Sequence, residues 1–157
     1  LENRRRWKSC VLNKSNVADD VWWGKINQPI QPDKFQLIFQ KMKAYLQGRD
    51  VFVQDVHVGA HPSHTTAVRI ISEKAWAALF SKNLLIPDTA TIEKPPTFTL
   101  IHVPGFFTDP VIDGTRSGTF IILDFTEKIV LIGGTSYAGE IKKAFPRLFG
   151  CDKAVTP

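Results

Sequence analysis

A tyrosine and two lysines follow closely on a glycine turn in the C-terminal third of the chain. The apolar run 129–132 predicts a buried strand, and Gly133-Gly134 ends it. A helical pattern carrying Lys142 and Lys143 begins after Tyr137. Where a helix starts directly after a strand and a glycine turn, its first backbone N–H groups favour an anion. The spacing therefore predicts an anion site with a phenol and two amines. The alternative is a plain turn followed by a solvated helix face.

The elements that must position this turn indicate an α/β (α+β) fold with a mixed β-sheet and flanking helices. Predicted strands are 51–58, 67–71, 98–103, 119–125 and 128–132, and predicted helices begin at Pro32, Ser72 and Gly139. The last two strands form a predicted hairpin around Thr126-Glu127. Neither an internal repeat nor a linker interrupts the pattern, so residues 1–157 are predicted to be one domain.

Two helix predictions are specific enough to be tested by a structure. Ser72 is a plausible N-cap, with Glu73 beside the helix dipole, for a helix that continues to about Leu84. The face of this helix that contacts the core is predicted to carry Trp76, Leu79, Phe80 and Asn83. In the last helix, Pro146 is expected to disturb any continuation beyond Phe145. The segment 104–118, which contains two Pro and three Gly, is expected to be irregular.

Composition favours a globular protein of a reducing compartment. Of the 157 residues 43% are hydrophobic, and 20 Lys and Arg against 15 Asp and Glu give a formal charge of +5. The two cysteines lack metal-type spacing, and no 18-residue apolar run occurs, so a cytoplasmic location without membrane insertion is expected. Nucleic-acid binding is not favoured, because the aromatics lie in segments patterned like core; these are Trp22, Trp23, Trp76 and Phe98.

Longer motifs relate the chain to one enzyme family. Residues 133–143 read Gly-Gly-Thr-Ser-Tyr-Ala-Gly-Glu-Ile-Lys-Lys, and residues 22–29 read Trp-Trp-Gly-Lys-Ile-Asn-Gln-Pro. Both resemble the ATP-dependent phosphoenolpyruvate carboxykinases, in which Gly-Gly-Thr-x-Tyr-x-Gly-Glu-x-Lys-Lys lies in the active-site cleft. His-Val-Pro-Gly-Phe at 102–106 and Asp-Gly-Thr-Arg-Ser at 113–117 extend the resemblance, which covers about residues 11 to 145 and is strongest over 16–145.

The resemblance implies the N-terminal, substrate-binding lobe of an enzyme that converts oxaloacetate and ATP into phosphoenolpyruvate, ADP and carbon dioxide in gluconeogenesis. It implies that the ring and hydroxyl of Tyr137 lie along the substrate, and that Lys142 offers a charge to a phosphate or carboxylate. It implies that Lys143 coordinates a metal as a neutral amine, which needs a strongly lowered lysine pKa. Arg4 occupies the place of the arginine that binds the substrate carboxylate. The family uses Mn²⁺ and Mg²⁺ with ATP.

This chain departs from the family pattern at several places. The residues after Arg4 are Arg5-Arg6-Trp7, where the family has Ser-Pro-Lys. Thr65 stands where the family tends to have Arg, and Gly118 where it has Glu. His61 and His64, in the same altered loop as Thr65, are expected to be solvated rather than metal-bound.

The nucleotide-binding part of the family pattern is not found in these residues. No G-x-x-x-x-G-K-[ST] phosphate loop occurs among them. We therefore expect no tight binding of metal or ATP and no turnover by this chain alone, a partner in the missing C-terminal lobe, and self-association through an exposed apolar patch. The alternative is a stand-alone, non-catalytic domain derived from that lobe, which binds a small anion or a protein.

Overall fold

A computed structural model describes residues 9–12, 27–59, 61, 65–87 and 95–149. The elements alternate between strands and helices along the chain. The strands are β1 Ser9–Leu12, β2 Asn27–Ile30, β3 Phe52–Val58, β4 Thr66–Ser72, β5 Ile86–Pro87, β6 Phe98–Val103, β7 Phe120–Asp124 and β8 Ile129–Gly133. The helices are α1 Pro32–Leu46, α2 Ala75–Leu84, α3 Pro110–Asp113 and α4 Gly139–Phe149.

All eight described strands belong to one mixed sheet in the order β2-β1-β7-β8-β6-β4-β3-β5. The β4–β6 and β6–β8 pairs are parallel, whereas β7–β8 and β3–β4 are antiparallel. Parallel strands end at the same side of a sheet, so β4, β6 and β8 end together at Ser72, Val103 and Gly133. We call this side the carboxyl edge. Residues 104–119, which connect β6 to β7, also start and finish there because Phe120 pairs with Gly133.

Helices cover both faces of the sheet and divide the core into two clusters. On one face, α1 buries Phe35, Ile38 and Met42 against a cluster that includes Ile122 and Leu131. On the other, α2 and α4 bury side chains in a second cluster; Ala77, Ile141, Ala144, Leu100 and Ile132 are among its members. Burial of aliphatic side chains on both faces is what parallel strands require.

The predicted fold class, an α/β domain with a mixed sheet and flanking helices, is confirmed. The first helix begins at Pro32, whose fixed φ suits the first helical turn. It ends before Gly48, which adopts a φ of +73°. The hairpin around Thr126-Glu127 is present as β7 and β8. No helix in the described part of the chain has the length and apolar content needed to cross a bilayer.

The prediction for the second helix is wrong in both its start and its buried face. Ser72 is the last residue of β4, and α2 begins at Ala75 with Lys74 at the N-cap position. The buried residues of α2 are Ala77, Ala78 and Ser81. Of the four residues predicted for this face, Phe80 is partly buried, and three are exposed: Trp76, Leu79 and Asn83. Small side chains let the helix axis approach the sheet closely, so the large side chains of α2 lie at its margin. Trp76, expected in the core, is one of them.

Two further predictions about local structure need correction. The last helix continues through Pro146 to Phe149, although proline removes one helical hydrogen bond and usually bends the helix. The segment 104–118, expected to be irregular, contains α3, whose N-cap Asp109 accepts hydrogen bonds from the N–H groups of Val111 and Ile112. Strands β1, β2 and β5 are not predicted by the sequence pattern.

The buried face of α2 can be tested with one substitution at two neighbouring sites. We expect Ala77→Leu to lower the free energy of unfolding by about 1–3 kcal/mol, because its site is fully buried and extra methylenes overpack the core. Ala75→Leu, at an exposed position of the same helix, should change it by less than about 0.5 kcal/mol. Urea unfolding of both variants measures the difference. Equal effects at the two sites would contradict the assignment.

Candidate functional site

The carboxyl edge brings together three turns that are distant in sequence. Glu73 follows β4, Pro104–Phe106 follows β6, and Gly134–Tyr137 follows β8. The carboxyl ends of parallel strands in an open α/β sheet are the usual place for a ligand crevice. The glycine turn identified in the sequence therefore lies where the topology favours binding.

The turn after β8 is fixed by its own backbone. Gly134 has a φ of +69°, which favours glycine. The N–H of Tyr137 donates to Oγ1 of Thr135 at 3.2 Å. The N–H of Glu140 then donates to the carbonyl of Tyr137 at 3.1 Å, and the N–H of Ile141 to that of Ala138. Two N–H groups at the start of α4 thus have backbone partners, so they are not free to receive an anion.

Tyr137 and Lys143, predicted to share a site, lie next to each other. Tyr137 is 57% exposed, and the Lys143 ammonium lies 5.0 Å from the centre of its ring. Lys143 Nζ also donates to Oε1 of Glu140 at 3.1 Å, and Glu140 is only 1% exposed. Lys142 is exposed on the same helix, about 100° further round its axis. The structure thus brings Tyr137 and Lys143 into contact and leaves Lys142 beside them.

The remaining predicted site residues fall in different places. Arg4 and His64 lie outside the described residues. His61 and Thr65 are exposed in the loop between β3 and β4. The metal-ligand role of Lys143 calls for burial, whereas its side chain is half exposed and paired with Glu140. Within the described ranges no three His, Cys, Asp or Glu side chains cluster in a way that could hold a metal ion. These residues therefore do not form a complete metal site, and we assign no step to a metal in this chain.

Glu73 lies at the site, although the sequence pattern does not predict it as a site residue. Its carboxylate is nearly buried and accepts hydrogen bonds from the Gly105 N–H at 2.8 Å and the Tyr45 hydroxyl at 3.3 Å, and it pairs with Lys74. Burial alone raises the pKa of Glu73, but the bonds from Gly105, Lys74 and Tyr45 outweigh it and keep the pKa below its usual value. One charge thus ties α1 to the turns after β4 and β6.

His102 is a second residue missed by the sequence pattern. It is completely buried in β6, and its Nε2–H donates to the carbonyl of Thr135 at 3.1 Å. The Trp76 ring meets its imidazole edge to face, with centroids 5.9 Å apart. Burial lowers the pKa of His102, and this outweighs the opposing effects of the Thr135 carbonyl and the Glu73 charge. Apart from its place in the motif 102–106, its sequence signal is a polar residue near the end of an apolar strand.

The buried histidine makes stability depend on pH. The unfolded chain binds a proton on His102 near the ordinary pKa of about 6.5, while the folded chain does so only at lower pH. The free energy of unfolding should therefore fall as the pH drops below about 6.5. His102→Gln should remove part of this dependence, up to about 1.4 kcal/mol per pH unit. Urea unfolding of both proteins between about pH 5 and about pH 7.5 measures it. Parallel stability curves would contradict the prediction, since all other titrating groups are shared.

Comparison with known proteins relates the chain to one family over nearly all its length. The sequence profile described as "Phosphoenolpyruvate carboxykinase" matches residues 2–150. Phosphoenolpyruvate carboxykinase (ATP) of Geotalea uraniireducens is 46% identical over 136 residues, which are 85% of this chain and 26% of the relative. The protein of that name from Thermus thermophilus is 41% identical over 140 residues, with the same two shares.

The chain spans about a quarter of the length of these curated relatives. Its Gly-Gly-Thr turn, Tyr137 and Lys143 lie within the matched residues and form one contact group at the carboxyl edge. The match to the profile covers far more than half of the residues. The chain belongs to the ATP-dependent phosphoenolpyruvate carboxykinase family.

Proposed function

We propose that this chain is the substrate-binding lobe of an ATP-dependent phosphoenolpyruvate carboxykinase, the part that holds oxaloacetate or phosphoenolpyruvate. The observation that carries the proposal is the contact between the exposed Tyr137 ring and the Lys143 ammonium at the carboxyl edge. The continuous sheet supports treating residues 1–157 as one domain. The cytoplasmic location stays a prediction.

The proposed chemistry of the site is the clamping of a small dianion by cations. Lys143 and Lys142 supply ammonium groups, and Tyr137 supplies a ring and a hydroxyl donor. Arg4 would bind the substrate carboxylate as a planar fork, as the resemblance implies. Loss of carbon dioxide from oxaloacetate leaves an enolate, and fixed positive charges stabilise such a developing anion.

Phosphoryl transfer needs groups that these residues do not supply. The 157 residues contain no phosphate loop, which would hold the β- and γ-phosphates in line for transfer. ATP, Mn²⁺ and Mg²⁺ are in this proposal bound by a nucleotide-binding lobe. By itself the chain should show no ATP-dependent turnover of oxaloacetate.

An exposed apolar patch, formed by Phe107, Val111 and Ile112, adjoins the site. Val111 is 91% exposed, and the Phe107 ring lies so close to Gly134 that a Cβ there would meet it at 2.9 Å. Lys34 and Lys41 of α1 hold α3 through the Ile112 carbonyl and the buried Asp113 carboxylate. Exposed apolar patches on anchored segments mark interfaces. We propose that the patch contacts the nucleotide-binding lobe, and that isolated chains associate through it.

We expect weak, salt-sensitive binding of phosphoenolpyruvate by this chain. Each exposed charge pair is worth on the order of 1 kcal/mol or less, so the dissociation constant should be about millimolar. Raising the salt from about 0.05 M to about 0.3 M should weaken binding several-fold, because screening acts over about 10 Å at 0.1 M. Calorimetric titration at both salt concentrations measures this.

Substitutions within and outside the proposed site test where phosphoenolpyruvate binds. Lys143→Met and Tyr137→Ala should each weaken binding, whereas Lys82→Met, which removes an exposed lysine from α2, should not. Tight binding that persists at high salt would contradict the proposed site. So would equal affinity of the Lys143 and Lys82 variants.

Self-association should depend on the apolar patch. We expect the apparent mass of the unchanged chain in light scattering to rise with protein concentration. The Val111→Asp variant should keep the mass of a monomer, because burying a charge in an apolar contact costs free energy. Leu79→Asp, at an exposed apolar position on α2, is the matched control and should behave like the unchanged chain. The assignment would be contradicted if the unchanged chain were monomeric at every concentration, or if Leu79→Asp rather than Val111→Asp abolished self-association.

A further inference from the structure

A line of buried polar contacts runs from the sheet to the exposed Tyr137. His102 Nε2–H donates to the carbonyl of Thr135, and Oγ1 of Thr135 accepts the N–H of Tyr137. His102 is fully buried and Thr135 is nearly so. Tyr137, the last member, carries the ring against which Lys143 rests. The buried imidazole is thus two hydrogen bonds away from the proposed substrate contact.

The geometry defines which nitrogen of His102 carries the proton. A carbonyl oxygen only accepts, so the bond to Thr135 requires hydrogen on Nε2. In the neutral ring Nδ1 is then an acceptor, and it has no hydrogen-bond partner among the described residues. Oγ of Ser72 is likewise buried without a partner, and Ser72 is the register neighbour of His102 on β4. The two atoms do not bond to each other directly, and because neighbouring strands lie about 4.8 Å apart, one water molecule between them would satisfy both.

Glu73 holds the backbone of His102 from the other side. The Glu73 N–H donates to the His102 carbonyl at 3.0 Å, and the Glu73 carboxylate binds the N–H of Gly105. The Trp76 ring packs against the imidazole in an edge-to-face contact. With its backbone, one ring contact and one nitrogen held, the imidazole keeps the direction of its Nε2–H bond.

We propose that His102, in its neutral Nε2-protonated form, is a positioning residue that sets the orientation of Tyr137 and Lys143 through Thr135. This rests on the proposed function for what is positioned. An aliphatic side chain could fill the same volume among the apolar neighbours, but it would leave the Thr135 carbonyl without its donor. The carbonyl and the turn that carries it would then be free to rotate, and Tyr137 with them. A water molecule between Ser72 and Nδ1 would support the same tautomer by donating to Nδ1.

The test compares His102→Gln with His102→Leu in the whole chain. Glutamine presents an amide N–H at about the reach of Nε2, whereas leucine has a similar size and no donor. We expect the Tyr137 amide to exchange with solvent about fivefold to tenfold faster in the leucine variant, the effect of losing one neutral hydrogen bond. Affinity for phosphoenolpyruvate should fall by a similar factor. The glutamine variant should stay within about twofold of the unchanged chain in both.

Nitrogen-15 NMR of the unchanged chain reports the tautomer of His102 without any substitution. If the leucine variant does not fold, this measurement decides whether His102 has the proposed form. A proton on Nε2 of His102 supports the proposal, and a proton on Nδ1 overturns it. Unchanged Tyr137 exchange in the leucine variant, or a glutamine variant that behaves like the leucine one, also overturns it. Absence of phosphoenolpyruvate binding by the unchanged chain would count against the proposed function, while the tautomer and Tyr137 exchange would still decide the role of His102.

Discussion

The in-register parallel pairing of β4, β6 and β8 is the constraint on which the other features depend. Ser72 pairs with His102, and Val103 with Gly133, so the three strands end within one residue of each other. A slip of one residue would turn His102 to the opposite face of the sheet, away from Trp76 and α2. The aliphatic side chains on both faces oppose such a slip, because it would exchange the two core clusters. Packing of the core therefore fixes where the turns after β4, β6 and β8 lie at the carboxyl edge.

Within this frame a single carboxylate joins the turns. Glu73 lies beyond the end of β4, and the groups that surround it come from α1, the turn after β6 and its own neighbour Lys74. Close approach makes this arrangement possible, since a Cβ at position 105 would meet Tyr45 and the carboxylate. Removing one donor would leave part of a charged group without a partner where water has little access, which costs more than the bond itself contributes. The contacts at the carboxyl edge are therefore interdependent.

How far the sequence predicts this structure differs from element to element. α1 and the β7–β8 hairpin follow from local periodicity and turn chemistry, and Tyr137 and Lys143 were placed together by their motif. The predicted face of α2 is wrong because helical spacing alone favours its large apolar side chains for the core, whereas alanine and serine allow the closer approach. The roles of Glu73 and His102 depend on neighbours about 30 residues away, which no local pattern contains.

The contact between Gly134 and Gly118 has a consequence for how this protein can vary. A Cβ at position 134 would stand 2.8 Å from the carbonyl oxygen of Gly118, and one at position 118 would stand 3.3 Å from the carbonyl of Thr108. The two positions differ in how tight they are, since 3.3 Å asks the Thr108 carbonyl to give way by only a few tenths of an ångström. At position 134 the nearest obstacle is a main-chain atom, which no exchange of a neighbouring side chain can move aside. A side chain at position 134 would therefore require a change in the path of the segment 104–119, so the conformation of that segment and the glycine turn depend on each other.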